Sequence, residues 1–192
     1  MRSHGTARYW GMPLHIDVIR AEKYGGLIGL TYCPGKCDEI GTVAAQRQVL
    51  EDDIQSLTNW RACGLVTALE DEELRTFGVV DLGACATRAG IWWFRIPISE
   101  TEDPVTHFWR AWPRAAPALV EMLRHGRRVV VHSGTDFGRS GLVAGCLLIE
   151  LGLQPEQAVT AVRAAQPQAI GNPARELFVR RHLPRFAEHP RL

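Results

Sequence analysis

The run Val129-Val130-Val131-His132-Ser133-Gly134-Thr135-Asp136-Phe137-Gly138-Arg139-Ser140-Gly141 sets a hydroxyl, an arginine and two loop glycines between a β-branched stretch and a nearly all-apolar one. A strand that turns tightly into a helix aims successive backbone N–H groups and the positive helix end at one point, and such a point holds an oxyanion. Arg139 can fork onto two phosphoryl oxygens, and Gly134 and Gly138 let the backbone come close. The candidate phosphate-binding residues are Gly134, Thr135, Asp136, Phe137, Gly138 and Arg139, with Ser133 at the base of the loop, His132 before it and Ser140 after it. Ser-x5-Arg also occurs by chance in ordinary turns; the strand before and the helix after set this one apart.

Other groupings carry less chemistry. Residues 99–104 (Ser-Glu-Thr-Glu-Asp-Pro) form an acidic loop whose carboxylates have solvation as their usual fate. Cys33 and Cys37 have no partner pair at ligand spacing, so no metal site is expected. The tryptophans, including Trp92, Trp93, Trp109 and Trp112, read as core, and His107, His125, His182 and His189 as surface.

The elements that must position the loop follow from apolar periodicity. Residues 27–31 read as a strand closed by Pro34-Gly35, and a helix over about residues 42–62 carries Leu50, Ile54, Leu57 and Trp60 on one side with Glu51, Asp52 and Asp53 on the other. Residues 65–69 read as a buried strand, 72–89 as a weaker helix and 91–98 as a third strand. A helix over 108–124 contains Pro113 and Pro117, which are expected to divide it. Residues 128–131 form a strand buried on both faces, 140–151 an apolar helix, and Pro155 and Pro173, the latter behind the cap Asn172, open two more helices.

Strands alternating with helices indicate an α/β fold, a single domain with a central, mostly parallel sheet flanked by helices. A chain of 192 residues with 46% hydrophobic content suits one domain with a real core. With 22 Lys+Arg against 21 Asp+Glu, the net charge of +1 argues against a broad surface for nucleic acid or membrane, so an anion is bound locally. Lys23 and Lys36 are its only lysines; the remaining cations are arginine forks suited to oxyanions. Five widely spaced cysteines suggest a reducing, cytoplasmic setting. Residues 1–24 are expected to be an N-terminal arm and 25–192 the domain.

The loop resembles the His-Cys-x5-Arg-Ser/Thr signature of the cysteine-dependent protein tyrosine and dual-specificity phosphatases, with Ser133 where that family has its nucleophilic cysteine. Residues 27–31, Cys33-Pro34-Gly35, the helix ending in Ala62-Cys63-Gly64 and Ile96-Pro97-Ile98 are similar, in order, to the cyclin-dependent kinase-associated branch, over roughly residues 25–185. The resemblance implies a compact phosphatase-like catalytic domain. It further implies a monomer that hydrolyses phosphotyrosine, and phosphoserine/threonine in the dual-specificity manner, on a protein through a phosphocysteine, with no metal or organic cofactor.

Residue roles implied by the resemblance are specific. Arg139 clamps the phosphoryl group, Ser140 hydrogen-bonds the sulfur leaving group and His132 orders the loop backbone. The branch's Pro-Ile-x-Asp register puts Glu100 at the general acid, ahead of Asp103 and Glu102. Arg175 stands where relatives carry a water-placing glutamine, and Asp136 is an unusual acid inside the loop, disfavouring highly charged headgroups. A serine hydroxyl cannot replace a thiolate here, because its pKa is far higher and the loop offers it no base. Ser133 therefore implies binding without turnover, either as a replacement of cysteine that traps substrate or as the native residue of a pseudophosphatase; retention of Ser140 and His132 favours the first.

Overall fold

The computed structural model describes residues 13–37, 42–100, 105–134 and 136–186. Five strands, β1 (Asp17–Ala21), β2 (Gly26–Thr31), β3 (Ala62–Thr67), β4 (Trp92–Arg95) and β5 (Arg128–His132), form one sheet in the order β1-β2-β5-β3-β4. β1 runs antiparallel to β2, and every other pairing is parallel. Helices α1 (Val43–Asn59), α2 (Asp71–Thr76) and α3 (Leu82–Arg88) lie over one face; α4 (Val105–Arg124), α5 (Gly138–Glu150), α6 (Pro155–Ala165) and α7 (Pro173–Arg181) lie over the other. The mostly parallel α/β domain expected from the sequence is thus observed.

β5 anchors the whole arrangement. Val129 and Val131 pack into the core under α4–α7 and Val130 into the core under α1–α3, all fully buried. Each such side chain contributes about 1.5–3 kcal/mol relative to exposure. The strand's register sets His132 between Thr31 of β2 and Thr67 of β3, at the carboxyl edge of three parallel strands, where open α/β sheets form their binding crevices. α5 then leaves this edge as a helix buried along its entire length.

Several expectations need correction. The arm expected over 1–24 includes β1, whose buried Ile19 and Ala21 alternate with exposed Val18 and Arg20 and cover the edge of β2; residues 1–12 lie outside the described residues. The helix expected over 72–89 is two, because Gly78 adopts φ 68 after α2. The strand expected over 91–98 shortens to β4. α4 is a single helix through Pro113 and Pro117, since both prolines face solvent while Phe108, Trp112, Leu119 and Leu123 hold the inner face in the core.

Asp53 is buried rather than solvated, accepting the Gly35 N–H at 2.7 Å. His182 is buried too: its Nε2 lies 2.9 Å from Oε1 of the buried Glu150, whose Oε2 accepts the N–H groups of Arg185 and Phe186 at 2.8 Å. His189 lies outside the described residues. Trp112 is core, as expected, but Trp92 is exposed. No helix among the described residues is long and apolar enough to cross a membrane.

Candidate active site

His132 ends β5 inside a chain of hydrogen bonds. Trp93 Nε1–H donates to Thr67 Oγ1 at 2.8 Å, Thr67 lies 2.7 Å from His132 Nε2, and His132 Nδ1 lies 3.4 Å from the Ser133 carbonyl. With Thr67 accepting from the indole, its own hydroxyl donates to Nε2, which leaves the proton on Nδ1 for Ser133. Burial lowers the imidazole pKa to about 3, so the ring is neutral and acts as a fixed strut rather than a base.

Ser133 is fully buried at the base of the loop. Its hydroxyl donates to the Asp136 carbonyl and lies 3.2 Å from Ser140 Oγ, which makes Ser140 the donor in that second contact. Neither partner is a base. Ser140 stands where a hydroxyl would stabilise negative charge on the group at position 133.

Arg139 reaches the site from the first turn of α5 with its side chain 3% exposed. Its Nη1 and Nη2 each donate to a Glu73 oxygen at 2.7 Å, Nη1 also to the Ile98 carbonyl at 3.2 Å, and Nη2 lies 2.9 Å from Glu100 Oε2. Burial opposes the charge, but the hydrogen bonds and charge of Glu73, with Glu100 and Asp136, outweigh it and raise the guanidinium pKa. Nε–H is buried and has no partner among the described residues. Glu73 holds the end of the guanidinium fork, which leaves the side edge formed by Nε and Nη2, where Glu100 faces Nη2.

The remaining expected residues divide. Glu100 is brought onto the loop, whereas Asp103 and Glu102 lie outside the described residues, as does Thr135. Phe137 turns its ring into the core, 4.5 Å from that of Tyr32, which leaves its backbone facing the loop. Asp136, one residue before the N-cap Phe137, folds its carboxylate onto the N–H of Gly138 at 2.9 Å, so this acid engages an amide expected to serve phosphate. Gly134 is tight, since a Cβ there would sit 3.2 Å from Arg139 Nη2 and 3.4 Å from the Phe77 ring.

Arg175 joins the site from α7. It is buried, its Nη2 lies 3.3 Å from both the carbonyl and Oε1 of Glu100, and its Nη1 would be 2.3 Å from a Cβ at Gly138. Ile170, a β-branched residue at φ 73, donates its N–H to the Phe137 carbonyl and braces the loop from behind. Such a conformation costs of order 1–3 kcal/mol and persists only where the surroundings impose it. The sequence reading missed Glu73. Its only local signal is Glu70-x-x-Glu73, a capping box in which Glu73 accepts the Glu70 N–H at 2.9 Å.

No protein-family model matches the sequence, and no curated protein does. Solved structures do. A kinase associated phosphatase with its catalytic cysteine replaced by serine superposes with a TM-score of 0.72 at 23% identity, over 88% of this chain and 93% of that one. The fold is that of the dual-specificity and protein tyrosine phosphatases. PTPMT1 in complex with PI(5)P matches at TM-score 0.57 and 17% identity, over 85% of this chain and 92% of that one. Human DUSP28 matches at 0.54 and 17%, over 90% and 96%. Within this phosphatase fold, β5, the loop and α5 form the strand, turn and helix expected from the signature-like run.

Proposed function

We propose that the chain is a protein phosphatase in design: it holds a phosphorylated side chain in the loop of residues 133–139 and hydrolyses it when position 133 is a thiolate. As Ser133 it binds without turnover. One observation carries this reading. The Nε–H of Arg139 is buried without a partner among the described residues, beside an Nη2 that Glu73 holds at one hydrogen and Glu100 faces as an ion pair, so this edge of the fork is the one available to an oxyanion.

In the active form, with cysteine in place of Ser133, the thiolate sulfur attacks phosphorus, the bond from phosphorus to the leaving oxygen breaks, and Glu100 gives that oxygen a proton. Water then attacks phosphorus and gives a proton to the Glu100 carboxylate, while sulfur leaves as a thiolate under the Ser140 hydroxyl. Arg139 and the loop amides hold the equatorial oxygens throughout. The chemistry requires no metal or organic cofactor, and a reducing cytoplasm suits its thiolate. The substrate is a phosphorylated protein, phosphotyrosine and in the dual-specificity manner phosphoserine/threonine, met by a monomer.

Calorimetric titration of the chain with inorganic phosphate and a phosphotyrosine peptide tests the binding half. Both are expected to bind, and Arg139→Lys, which keeps the charge but loses the fork, to weaken them about 10- to 100-fold, the worth of charge-assisted hydrogen bonds. Failure of either ligand to bind, or indifference to Arg139→Lys, sinks the reading. If the chain binds phosphopeptide while a cysteine at 133 brings no turnover, it is a pseudophosphatase acting as a phosphate-dependent binding module.

A further inference from the structure

Between the open edge of β4 and helix α4 lies a groove of about 490 Å³. Its floor is apolar, with Phe94, Pro97 and Ala111, and its rim carries Arg95, Arg110 and Arg114. Arg95 is answered by Asp71 at 2.8 Å, and His107 at one end lies 3.8 Å from Glu70. Arg110 and Arg114 are different. They sit one turn apart on the exposed side of α4 and meet no carboxylate among the described residues. Like charges at this spacing destabilise the helix that carries them, so an anion from outside would relieve α4 as it binds.

The groove also abuts the phosphoryl site. Pro97 lines it, and the carbonyl of the next residue, Ile98, accepts from Arg139 Nη1 at 3.2 Å. An extended peptide advances about 3.3 Å per residue, so a chain that enters the loop with its phosphorylated side chain and continues toward Pro97 reaches the groove within a few residues. We propose that this groove docks the acidic flank of the phosphoprotein substrate, with glutamate or aspartate side chains on Arg110 and Arg114 and the intervening apolar residues on Phe94 and Pro97. The site rests on the reading of the loop as the phosphoryl-binding site.

The test compares the chain with its Arg110→Ala/Arg114→Ala variant, both positions being exposed and outside the loop of residues 133–139. Phosphotyrosine peptides with glutamines or glutamates on either flank serve as probes at low salt, with inorganic phosphate as control. The glutamate peptide is expected to bind the chain about three- to tenfold more tightly than the glutamine peptide, the worth of two exposed ion pairs. In the variant that preference disappears while phosphate affinity stays unchanged. A preference that survives in the variant, or that the chain never shows, overturns the proposal. So does loss of phosphatidylserine-vesicle binding in the variant without a peptide preference, which would assign the groove to a membrane. Failure of the underlying reading looks different, since phosphate and both phosphopeptides would then fail to bind whatever their flanks.

Discussion

Three of the five guanidinium hydrogens of Arg139 are taken by Glu73 and Ile98, Nη2 is also ion-paired with Glu100 at 2.9 Å, and the buried Nε–H has no partner among the described residues. On the proposed reading, substrate displaces Glu100 from Nη2 and leaves Glu73 in place. Glu100→Gln has opposite expected effects on two measurements. In the Ser133 chain it should tighten phosphate binding about threefold, the modest worth of a half-exposed ion pair. In a Ser133→Cys background it should slow hydrolysis of a phosphopeptide about 10²- to 10⁴-fold, the worth of a general acid. Weaker phosphate binding in the first removes Glu100 as a competitor for Arg139, and unchanged turnover in the second removes it as the general acid. Glu73→Gln leaves Arg139 buried without its main countercharge and should lower stability by about 1–3 kcal/mol, discounted because Glu73 is 24% exposed. The urea midpoint reads this directly.

At the scale of elements, the loop depends on how closely α5 meets the segment before α7. A Cβ on Gly141 would lie 2.5 Å from the Ile170 backbone nitrogen and 2.8 Å from the Ala169 Cβ, so neither neighbour can yield by rotating a side chain. Gly141→Ala is expected to cost about 1–3 kcal/mol in thermal melts and to weaken phosphate binding by shifting the brace behind Phe137. Pro117→Ala should act in the other direction, restoring an N–H on the exposed side of α4 and adding about 1–3 kcal/mol. A melting temperature that stays put would mean that α4 already bends to accommodate the ring. These elements also show what the sequence disclosed. The strand, loop and α5 were legible because their signals are contiguous: a β-branched run, two glycines, an arginine and an apolar stretch. β1 was missed because its alternation spans only five residues, and the division of residues 72–89 hung on a single glycine in a turn. Glu73 was invisible as a site residue because its partner lies 66 positions away and only the packing of α2 joins them.

Over the whole molecule, two buried titratable groups set the acid stability in the same direction. His132 has a pKa of about 3 in the fold against 6.5 unfolded, so between those values the unfolded chain binds the extra proton and stability falls as pH falls below about 6.5. At Glu150 burial raises the pKa, but hydrogen bonds from His182, Phe186, Arg185 and Trp112 outweigh it and bring the value below 4.5. Its stabilisation is therefore present above 4.5 and lost as pH drops through the folded value, which would release the chain segment after α7. Urea midpoints against pH should decline from about 6.5 and steepen below 4.5. His132→Asn should flatten the upper stretch and Glu150→Gln the lower one; parallel curves for all three proteins would contradict both assignments. The loop's purpose is tested most directly by hydrolysis of an aryl phosphate by the Ser133→Cys chain beside the Ser133 chain, with Arg139→Lys in the cysteine background as control. The expected result is turnover by the cysteine form alone, blocked by vanadate and largely lost with Arg139→Lys. A folded cysteine form that stays inactive, or turnover indifferent to Arg139, would contradict a phosphatase site in this loop.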